Sequence, residues 1–229
     1  MKDQVVLITG ANGGLGNSVT EAFLAAGAVV AGVSPKISQA DFKSQNFHAF
    51  PAAITDLASA KKLTDAVVQK LGKVDALIHL VGAFAGGVFV ADTDDAIWTK
   101  MLDLNLNAAF HMLRAVVPQM RKAGRGRIVA IGSRMAVEPQ PGVGAYEMSK
   151  AALVSLFRAT ALENKDAGIN VNIVLPDTMD TAVNRAAMPK ADFSKWVPTA
   201  DVAQLLLALA GPAGASVTGA VIPIYGRAA

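Results

Sequence analysis

The chain contains no cysteine, and its 229 residues include only three histidines, His48, His79 and His111. Without cysteine there is no disulfide framework, no thiol nucleophile and no thiolate ligand for a metal. The three histidines lack the spacing of a metal-binding motif, so we predict no metal site. These absences leave general acid/base chemistry and organic cofactors as the classes to search for.

Charge is also scarce, because Asp, Glu, Lys and Arg together make up 17% of the chain. The 21 basic and 18 acidic residues give a formal charge of +3, without the clustered basic face that nucleic-acid binding requires. No apolar run reaches the roughly 18 residues of a membrane span, and no signal sequence precedes the first apolar segment. We therefore expect a cytoplasmic protein that binds neither nucleic acid nor membrane.

Short apolar runs alternate with amphipathic stretches along the chain, which is the pattern of βαβ units and a parallel sheet. Strands are predicted near 4–9, 28–33, 46–50, 75–81, 126–132, 169–175 and 219–224. Helices are predicted near 14–26, 56–71, 96–121, 145–166 and 200–210, with a weak one near 38–44. Asp56 and Thr199 are the expected N-caps of two of these helices. No linker interrupts the pattern, so residues 1–229 should form one α/β domain.

A glycine-rich turn follows the first predicted strand, in the sequence Thr9-Gly10-Ala11-Asn12-Gly13-Gly14-Leu15-Gly16. Glycines let the backbone turn tightly and approach a pyrophosphate, and the N-terminus of the next helix supplies amide donors. This strand–turn–helix context predicts a dinucleotide site. It also specifies the fold class as a single doubly wound Rossmann-type domain, with about seven parallel strands and helices on both faces.

Tyr146 and Lys150 lie four residues apart on a predicted helix, and therefore on the same helical face. A cation beside a phenol favours the phenolate and lowers its pKa from about 10, which makes tyrosine useful as a general acid/base. Ser133 precedes Tyr146 by 13 residues, at the end of an apolar strand-like run. The three residues together predict proton transfer to or from a substrate oxygen.

The ordered set of motifs resembles the short-chain dehydrogenase/reductase family over essentially the whole chain. The matching segments are the glycine turn with its leading Thr9, Leu104-Asn105-Leu106-Asn107, Ile131-Gly132-Ser133, Tyr146-x-x-x-Lys150, and Pro176 through Thr181. The resemblance implies that Tyr146 exchanges a proton with the substrate, that Ser133 hydrogen-bonds the substrate oxygen, and that Lys150 contacts the nicotinamide ribose. Asn105 would hold a water in a proton path, or would instead brace a helix kink or a neighbouring loop.

The resemblance implies a nicotinamide dinucleotide as cofactor. The predicted cofactor-binding residues are Gly10, Asn12, Gly14, Leu15, Gly16, Ser34, Lys36, Gly82, Tyr146, Lys150, Pro176, Met179 and Thr181, with helix capping as the alternative for Thr181. The second strand ends at Ser34-Pro35-Lys36, without the acidic residue that NAD requires there, and Asp41 comes too late in the chain. NADP is therefore favoured, with NAD as the alternative.

Three segments depart from the family pattern. His79-Leu80-Val81-Gly82 replaces Asn-Asn-Ala-Gly, Ala53 stands at the adenine-contact position, and Pro176-Asp177 replaces Pro-Gly. Residues Gly82 to Gly87 are reminiscent of the dihydropteridine reductase branch, which lacks the family Ser, whereas Ser133 is present here. A carbonyl or alcohol substrate is therefore preferred, with a pterin or quinone reductase and a non-catalytic dinucleotide sensor as alternatives.

The remaining expectations concern the substrate pocket and the assembly. Phe84, Phe89, Val137, Met179 and Trp196 should form a largely apolar lining. Residues 177–198 break the βαβ alternation and form either a segment that covers the substrate or a fixed excursion. The helices near 96–121 and 145–166 carry more apolar residues than one buried stripe needs, and the resemblance implies a homodimer or homotetramer built on them.

Overall fold

The structure is a computed structural model that describes residues 1–227. Its strands are β1 (Val5–Thr9), β2 (Val29–Ser34), β3 (Phe47–Pro51), β4 (Ala76–His79), β5 (Gly126–Ile131), β6 (Ile169–Pro176), β7 (Met179–Asp180), β8 (Val197–Pro198) and β9 (Val221–Ile224). Its helices are α1 (Gly16–Ala25), α2 (Leu57–Leu71), α3 (Asp95–Leu102), α4 (Ala108–Ala123), α5 (Gly144–Asn164), α6 (Ala182–Ala187) and α7 (Thr199–Ala210).

Seven of the strands form one parallel sheet in the order β3-β2-β1-β4-β5-β6-β9. The chain moves outward from β1 to β3 and then crosses back to β4, so the winding direction reverses between β1 and β4. Ligands of doubly wound sheets bind at the carboxyl ends of the strands beside such a reversal. The predicted fold class is confirmed, and the reversal lies where the glycine turn leaves β1.

The sheet is buried on both faces, which explains the high apolar content of the chain. Val5 and Leu7 of β1 pack with α2, α4 and α5, whereas the alternating residues Val6 and Ile8 pack with α1 and α7. Strands of this kind read as continuous apolar runs, because neither face meets water. The two cores hold the carboxyl ends of the strands in fixed positions.

The predicted helix near 96–121 is not continuous. A five-residue π turn, Asp103–Asn107, separates α3 from α4, and it contains Asn105. π turns inside helices are rare and are frequent at functional sites. The wider turn allows the Asn105 side chain to face the loop after β4, a contact described below.

Two expectations about helix ends have different outcomes. Asp56 caps α2 as predicted, since its Oδ1 accepts a 2.7 Å hydrogen bond from the Ser59 amide. Thr199 is not a cap: it is the first residue of α7, Pro198 holds the cap position, and the Thr199 hydroxyl pairs with that of Ser18 at 2.8 Å. The predicted weak helix near 38–44 is reduced to one 3₁₀ turn, Gln39–Asp41.

A second, two-stranded parallel sheet was not predicted. It pairs β7 with β8 through Met179–Val197 and Asp180–Pro198, so the segment 177–198 is closed at its base. The chain between them forms α6 and a 3₁₀ turn, Phe193–Lys195. A role for this segment in covering the substrate stays a prediction. Within residues 1–227, no helix combines the length and the apolar character needed to cross a membrane.

Candidate active site

The glycine turn joins β1 to α1 in a geometry that suits a pyrophosphate. Gly10 has a φ of +72°, and a side chain at Gly16 would collide with the backbone of Gly10 and Ala11. Leu15 is the N-cap residue of α1 but provides no side-chain cap, so amides of the first turn have no side-chain partner there. Donors at a helix N-terminus bind phosphate oxygens. The predicted contact residues therefore fit a dinucleotide.

The turn is bonded to the end of β2, where the adenosine of a dinucleotide would be selected. The amides of Gly10 and Ala11 both donate to the Val33 carbonyl, at 2.7 and 3.2 Å. Ser34 is half-buried at the strand end, and Lys36 is exposed two residues later. Both predicted residues thus lie on the same edge of the sheet as the glycine turn.

Asp41 also reaches this edge, contrary to the expectation that it comes too late in the chain. Its Oδ2 accepts a 2.8 Å hydrogen bond from Asn12 Nδ2 in the glycine turn. The 3₁₀ turn Gln39–Asp41 turns the chain back toward β1, which sequence distance alone could not indicate.

The proposed catalytic residues come together at the carboxyl end of β5 and the start of α5. Tyr146 lies close enough to Ser133 for the Ser133 side chain to influence its pKa, and Ser133 directly follows Ile131-Gly132 at the strand end. Lys150 is buried, and its Nζ donates a 3.0 Å hydrogen bond to the Ile131 carbonyl. The helical spacing of Tyr146 and Lys150 and the strand end at Ser133 bring the three side chains to one place.

The pKa values of these groups are governed by burial. Burial raises the pKa of Tyr146 above its ordinary value of 10.0, and the hydrogen bond with Ser133 opposes that rise. This direction is the opposite of the lowering predicted from the Tyr–Lys spacing. Burial lowers the pKa of Lys150 to about 8, because the interior disfavours its ammonium form. With a pKa of about 8, Lys150 stays mostly protonated at pH 7 but loses its charge at a lower pH than a solvated lysine does.

Asn105 connects the loop after β4 to the helix that carries Tyr146. Its Oδ1 accepts from the Ala83 amide at 2.8 Å, and its Nδ2 donates to the Ala83 carbonyl and to Ser149 Oγ, each at 3.0 Å. Ser149 Oγ in turn donates to the Tyr146 carbonyl at 2.6 Å. Asn105 thus braces both segments, which is one of the two roles expected for it.

Gly82 forms the floor of the space shared by Asn105 and Lys150. A Cβ at this position would lie 2.8 Å from Asn105 Oδ1 and 3.1 Å from Lys150 Nζ. Both contacts are closer than carbon ordinarily approaches these atoms, so any larger residue would require the ends of both side chains to shift. The predicted site residue Gly82 therefore has a packing role toward two of the proposed catalytic residues.

His79 replaces the first Asn of the family pattern and is buried at the end of β4. Its Nδ1 lies 3.0 Å from Thr9 Oγ1, and Nε2 has no partner among residues 1–227. Burial, with a smaller contribution from the charge of Lys150, lowers the pKa of His79 to about 3. The imidazole is consequently neutral at physiological pH and tethers β4 to β1.

The segment after β6 closes the opposite side of the site. Pro176 is buried at the end of β6, and Met179 is half-buried in β7. Thr181 caps α6 through a 3.2 Å hydrogen bond from the Asn184 amide, and its methyl group faces Gly14 of the glycine turn. The capping role considered for Thr181 is thus present, and the residue lies beside the predicted pyrophosphate site.

Asp177, at the usual glycine position, forms an ion pair. Its Oδ2 accepts from Arg134 Nη1 at 2.9 Å, while Arg134 Nε donates to Glu138 at 2.6 Å. The Arg134 guanidinium also lies 4.7 Å from the centre of the Tyr225 ring. Because Arg134 follows Ser133 directly, this pair links the ends of β5 and β6 beside the proposed proton donor.

The expected pocket lining is only partly exposed. Phe84, Phe89 and Val137 are 62%, 65% and 51% exposed, and the Phe84 ring packs edge-on against Tyr146 with centroids 5.0 Å apart. Trp196 is instead buried, with 9% exposure, against the Phe193 ring. Trp196 therefore supports the segment between β7 and β8 rather than lining an open pocket.

Sequence reasoning missed the contributions of Ser149, Asp41 and Arg134. Ser149 carried a usable signal, since a serine three residues after Tyr146 can bond back to the preceding helical turn. Asp41 and Arg134 carried none, because their partners are remote in the chain. Residues 1–227 contain no group of three or more His, Asp and Glu side chains arranged to hold a metal.

Comparison with known proteins agrees with this geometry. The profile of the family described as short chain dehydrogenase matches residues 4–192. The chain is 29% identical over 241 residues to the 3-oxoacyl-[acyl-carrier-protein] reductase FabG of Thermotoga maritima, covering 99% of this chain and 98% of that protein.

Solved structures with the same fold include ElxO with NADP bound, which has a TM-score of 0.92 and 26% identity over 99% of this chain and 98% of ElxO. The 3-ketoacyl-(acyl-carrier-protein) reductase from Brucella melitensis complexed with NADH has a TM-score of 0.88 and 24% identity, covering 100% and 99% of the two chains, and shows the fold alone. The chain therefore belongs to the short-chain dehydrogenase/reductase family of nicotinamide-dependent oxidoreductases.

Proposed function

We propose that this protein interconverts a carbonyl and an alcohol, with Tyr146 as the general acid/base. The observation that carries the proposal is the convergence of Tyr146, Ser133 and the buried Lys150 at the carboxyl end of β5, where Lys150 Nζ lies 3.0 Å from the Ile131 carbonyl oxygen. In reduction, the Tyr146 hydroxyl donates its proton to the substrate oxygen. In oxidation, the same oxygen accepts the proton of the alcohol.

The other side chains support this proton transfer. The Ser133 hydroxyl donates to the substrate oxygen and stabilises the negative charge that develops there. Lys150 holds positive charge near the phenol and hydrogen-bonds the nicotinamide ribose. Asn105 orients Ala83 and Ser149, and it holds a water that passes protons toward Lys150. A bound nicotinamide dinucleotide supplies or accepts the hydride.

The cofactor is held by the glycine turn, with NADP favoured over NAD. Gly10, Asn12, Gly14 and Gly16 admit the pyrophosphate to the amides at the start of α1. Support for NADP comes from Ser34 and Lys36, since no acidic residue occupies β2 or its end. Turnover measured with NADPH and with NADH tests this assignment, and a clear preference for NADH would contradict it.

The substrate has an apolar portion beside the reacting oxygen. Phe84 is exposed and packs against Tyr146, and Phe89, five residues later in the same loop after β4, is also exposed. The similar FabG proteins are reductases of 3-oxoacyl groups, which also join a carbonyl to an apolar chain. A spectrophotometric screen of NADPH oxidation with aldehydes, ketones, quinones and pterins identifies the class, and turnover of pterins alone would favour the dihydropteridine-like alternative.

The decisive variant is Tyr146→Phe, which removes only the hydroxyl. We expect kcat/KM to fall by about 10²- to 10⁴-fold, the usual contribution of a general acid/base, while dinucleotide binding is retained. Tyr225→Phe is the matched control, because Tyr225 is the only other tyrosine in the chain and its ring still packs on Arg134. Unchanged turnover in Tyr146→Phe would refute the assignment and favour a dinucleotide sensor.

We also propose a homodimer or homotetramer built on α4 and α5. Between these helices lies a groove of about 340 Å³. Phe110 on α4 lines this groove and is 41% exposed, and Leu162 on α5 is 72% exposed, so both helices present large apolar side chains that a second chain could cover. Light scattering at micromolar concentration should give twice or four times the 23.6 kDa chain mass. A monomer would contradict the proposal.

A further inference from the structure

The contact between Asp41 and Asn12 places a carboxylate beside the glycine turn. Asp41 lies seven positions after Ser34, the last residue of β2, yet its Oδ2 is 2.8 Å from Asn12 Nδ2. The amides of Gly10 and Ala11 bind the Val33 carbonyl, so the turn and the end of β2 form one continuous surface. Asp41 stands at the edge of that surface.

The position of the carboxylate is fixed by the short turn that carries it. Ser38 Oγ donates to Asp41 Oδ1 at 2.8 Å, and the Ser38 amide lies 3.4 Å from Oδ2 in a capping-box arrangement. These hydrogen bonds, first from Ser38 and then from Asn12, lower the pKa of Asp41 below its ordinary value. The group is therefore ionised throughout the physiological range, and its charge cannot be avoided by protonation.

Two opposite charges thus belong to the segment that follows β2. Lys36 is exposed two residues beyond the strand, while Asp41 is held against the glycine turn. The 2′-phosphate of NADP carries a charge near −2 at neutral pH, whereas the ribose of NAD is uncharged at that position. A cation and an anion at this edge therefore act in opposite directions on the choice of dinucleotide.

We propose that Asp41 is a specificity-determining residue that disfavours the 2′-phosphate and narrows the preference for NADP over NAD. The inference rests on the proposed function, because it takes the glycine turn as the dinucleotide site. Lys36 attracts the phosphate and Asp41 repels it. When Asp41 is replaced by a neutral residue, the repulsion of the 2′-phosphate is removed. The preference for NADP over NAD, which Lys36 supports, should then increase.

Asp41→Asn separates the charge from the contact. In this variant the carboxamide oxygen can accept from Asn12 Nδ2 while the carboxamide NH2 donates to Ser38 Oγ, so both contacts of the 3₁₀ turn have a counterpart although the negative charge is lost. Asp41→Glu keeps the charge and alters the geometry. Asp65→Asn removes an exposed carboxylate from α2 and is the matched control for net charge.

The test measures the dissociation constants of NADPH and NADH by calorimetry, without turnover. In Asp41→Asn we expect NADPH to bind about three- to tenfold more tightly and NADH to change less than about twofold, as suits a solvent-exposed charge contact. Asp41→Glu and Asp65→Asn should leave the ratio near that of the natural chain. The increase in NADPH affinity in Asp41→Asn should become smaller between about 0.05 and 0.5 M salt. The Debye length falls several-fold over this range, so salt screens the repulsion between Asp41 and the phosphate.

The possible failures are distinguishable. If neither dinucleotide binds the natural chain, the proposed function fails and the basis of the inference is removed. If both bind and Asp41→Asn leaves their ratio unchanged, Asp41 does not select and the inference is overturned alone. If Asp41→Asn weakens NADH binding and leaves NADPH binding unchanged, the inference is also overturned. Asp41 would then bind the ribose hydroxyls of NADH and would not repel the 2′-phosphate. Equal thermal unfolding temperatures of the natural and variant chains exclude misfolding as the cause.

Discussion

The proposed catalytic cluster and the adenosine side of the dinucleotide site are built in contrasting ways. Asn105, Ser133 and Lys150 are buried, and each has a hydrogen-bond partner fixed by the protein. Lys36 and Asp41 are exposed on a short segment after β2. In the first region burial sets the pKa values and geometry admits little change. In the second region, solvent screens each charge. The choice between NADP and NAD there depends on small electrostatic contributions that single substitutions can change.

In the buried cluster, the largest effect after that of Tyr146→Phe is expected from Gly82→Ala. The new Cβ would lie 2.8 Å from Asn105 Oδ1 and 3.1 Å from Lys150 Nζ, so both side chains must move. Overpacking costs about 1–3 kcal/mol, and we expect kcat/KM to fall by about 10- to 100-fold. Steady-state kinetics alongside thermal unfolding separate damage to the site from global destabilisation. A variant with natural kinetics would show that the buried cluster is more tolerant than its packing indicates.

His79 should make stability depend on pH. Its folded-state pKa is about 3 against an ordinary value of 6.5, so the unfolded chain binds a proton that the folded chain does not. Its contribution is fully present above pH 6.5 and is lost toward pH 3, at up to about 1.4 kcal/mol per pH unit. Urea unfolding of the dinucleotide-free protein at pH 7, 6 and 5 measures this slope.

The variant His79→Asn, which restores the residue of the family pattern, isolates this contribution. It should reduce the loss of stability between pH 7 and pH 5. His48→Asn is the control, because His48 is half-buried and the same cause lowers its pKa less strongly. Identical slopes in the natural chain and in His79→Asn would contradict a neutral, buried His79.

A smaller effect is expected at the half-buried pair of Arg134 and Asp177. Asp177→Asn keeps a hydrogen-bond acceptor 2.9 Å from Arg134 Nη1 but removes the charge. We expect a two- to fivefold loss in kcat/KM, about that of a partly screened ion pair, because Arg134 adjoins Ser133. Glu138→Gln serves as control, since Glu138 is 48% exposed. If kcat/KM falls more in Glu138→Gln than in Asp177→Asn, the more exposed partner of Arg134 has the greater effect, and the expectation is wrong.

An effect as small as that at Asp177, but on cofactor binding and not on kcat/KM, is expected at the exposed Lys36. Lys36→Ala should weaken NADPH binding by about two- to fivefold and leave NADH binding nearly unchanged, because one screened charge is removed. Lys43→Ala removes a second exposed lysine from the same segment and is the matched control. Equal losses for the two cofactors would show that Lys36 does not meet the 2′-phosphate.

The sequence predicted the architecture well because that architecture depends on local patterns. Alternation of apolar runs specified the seven strands, the glycine turn specified the start of α1, and helical spacing placed Tyr146 beside Lys150. These features depend on residues close together in the chain. The same patterns could not show the interruption at Asn105, since a π turn has no distinctive composition.

The parts that were not predicted depend on contacts between remote residues. Asp41 reaches Asn12 across 29 positions, and Arg134 reaches Asp177 across 43. The pKa of Tyr146 had the wrong predicted direction because burial, which sequence spacing does not measure, outweighs its neighbours. Local chemistry was therefore readable, whereas solvent exposure and long-range pairing required the structure.

The pairing of β7 with β8 also determines how the segment between these strands can change in length. The two register pairs close a loop of 16 residues, 181–196, at its neck. Lengthening a loop whose ends are already joined costs little, about 0.6 kcal/mol for each doubling of its length. Insertions and deletions at the tip can therefore accumulate without unfolding the domain. Because of this neck, the loop can vary in length while β7, β8 and the main sheet keep their positions.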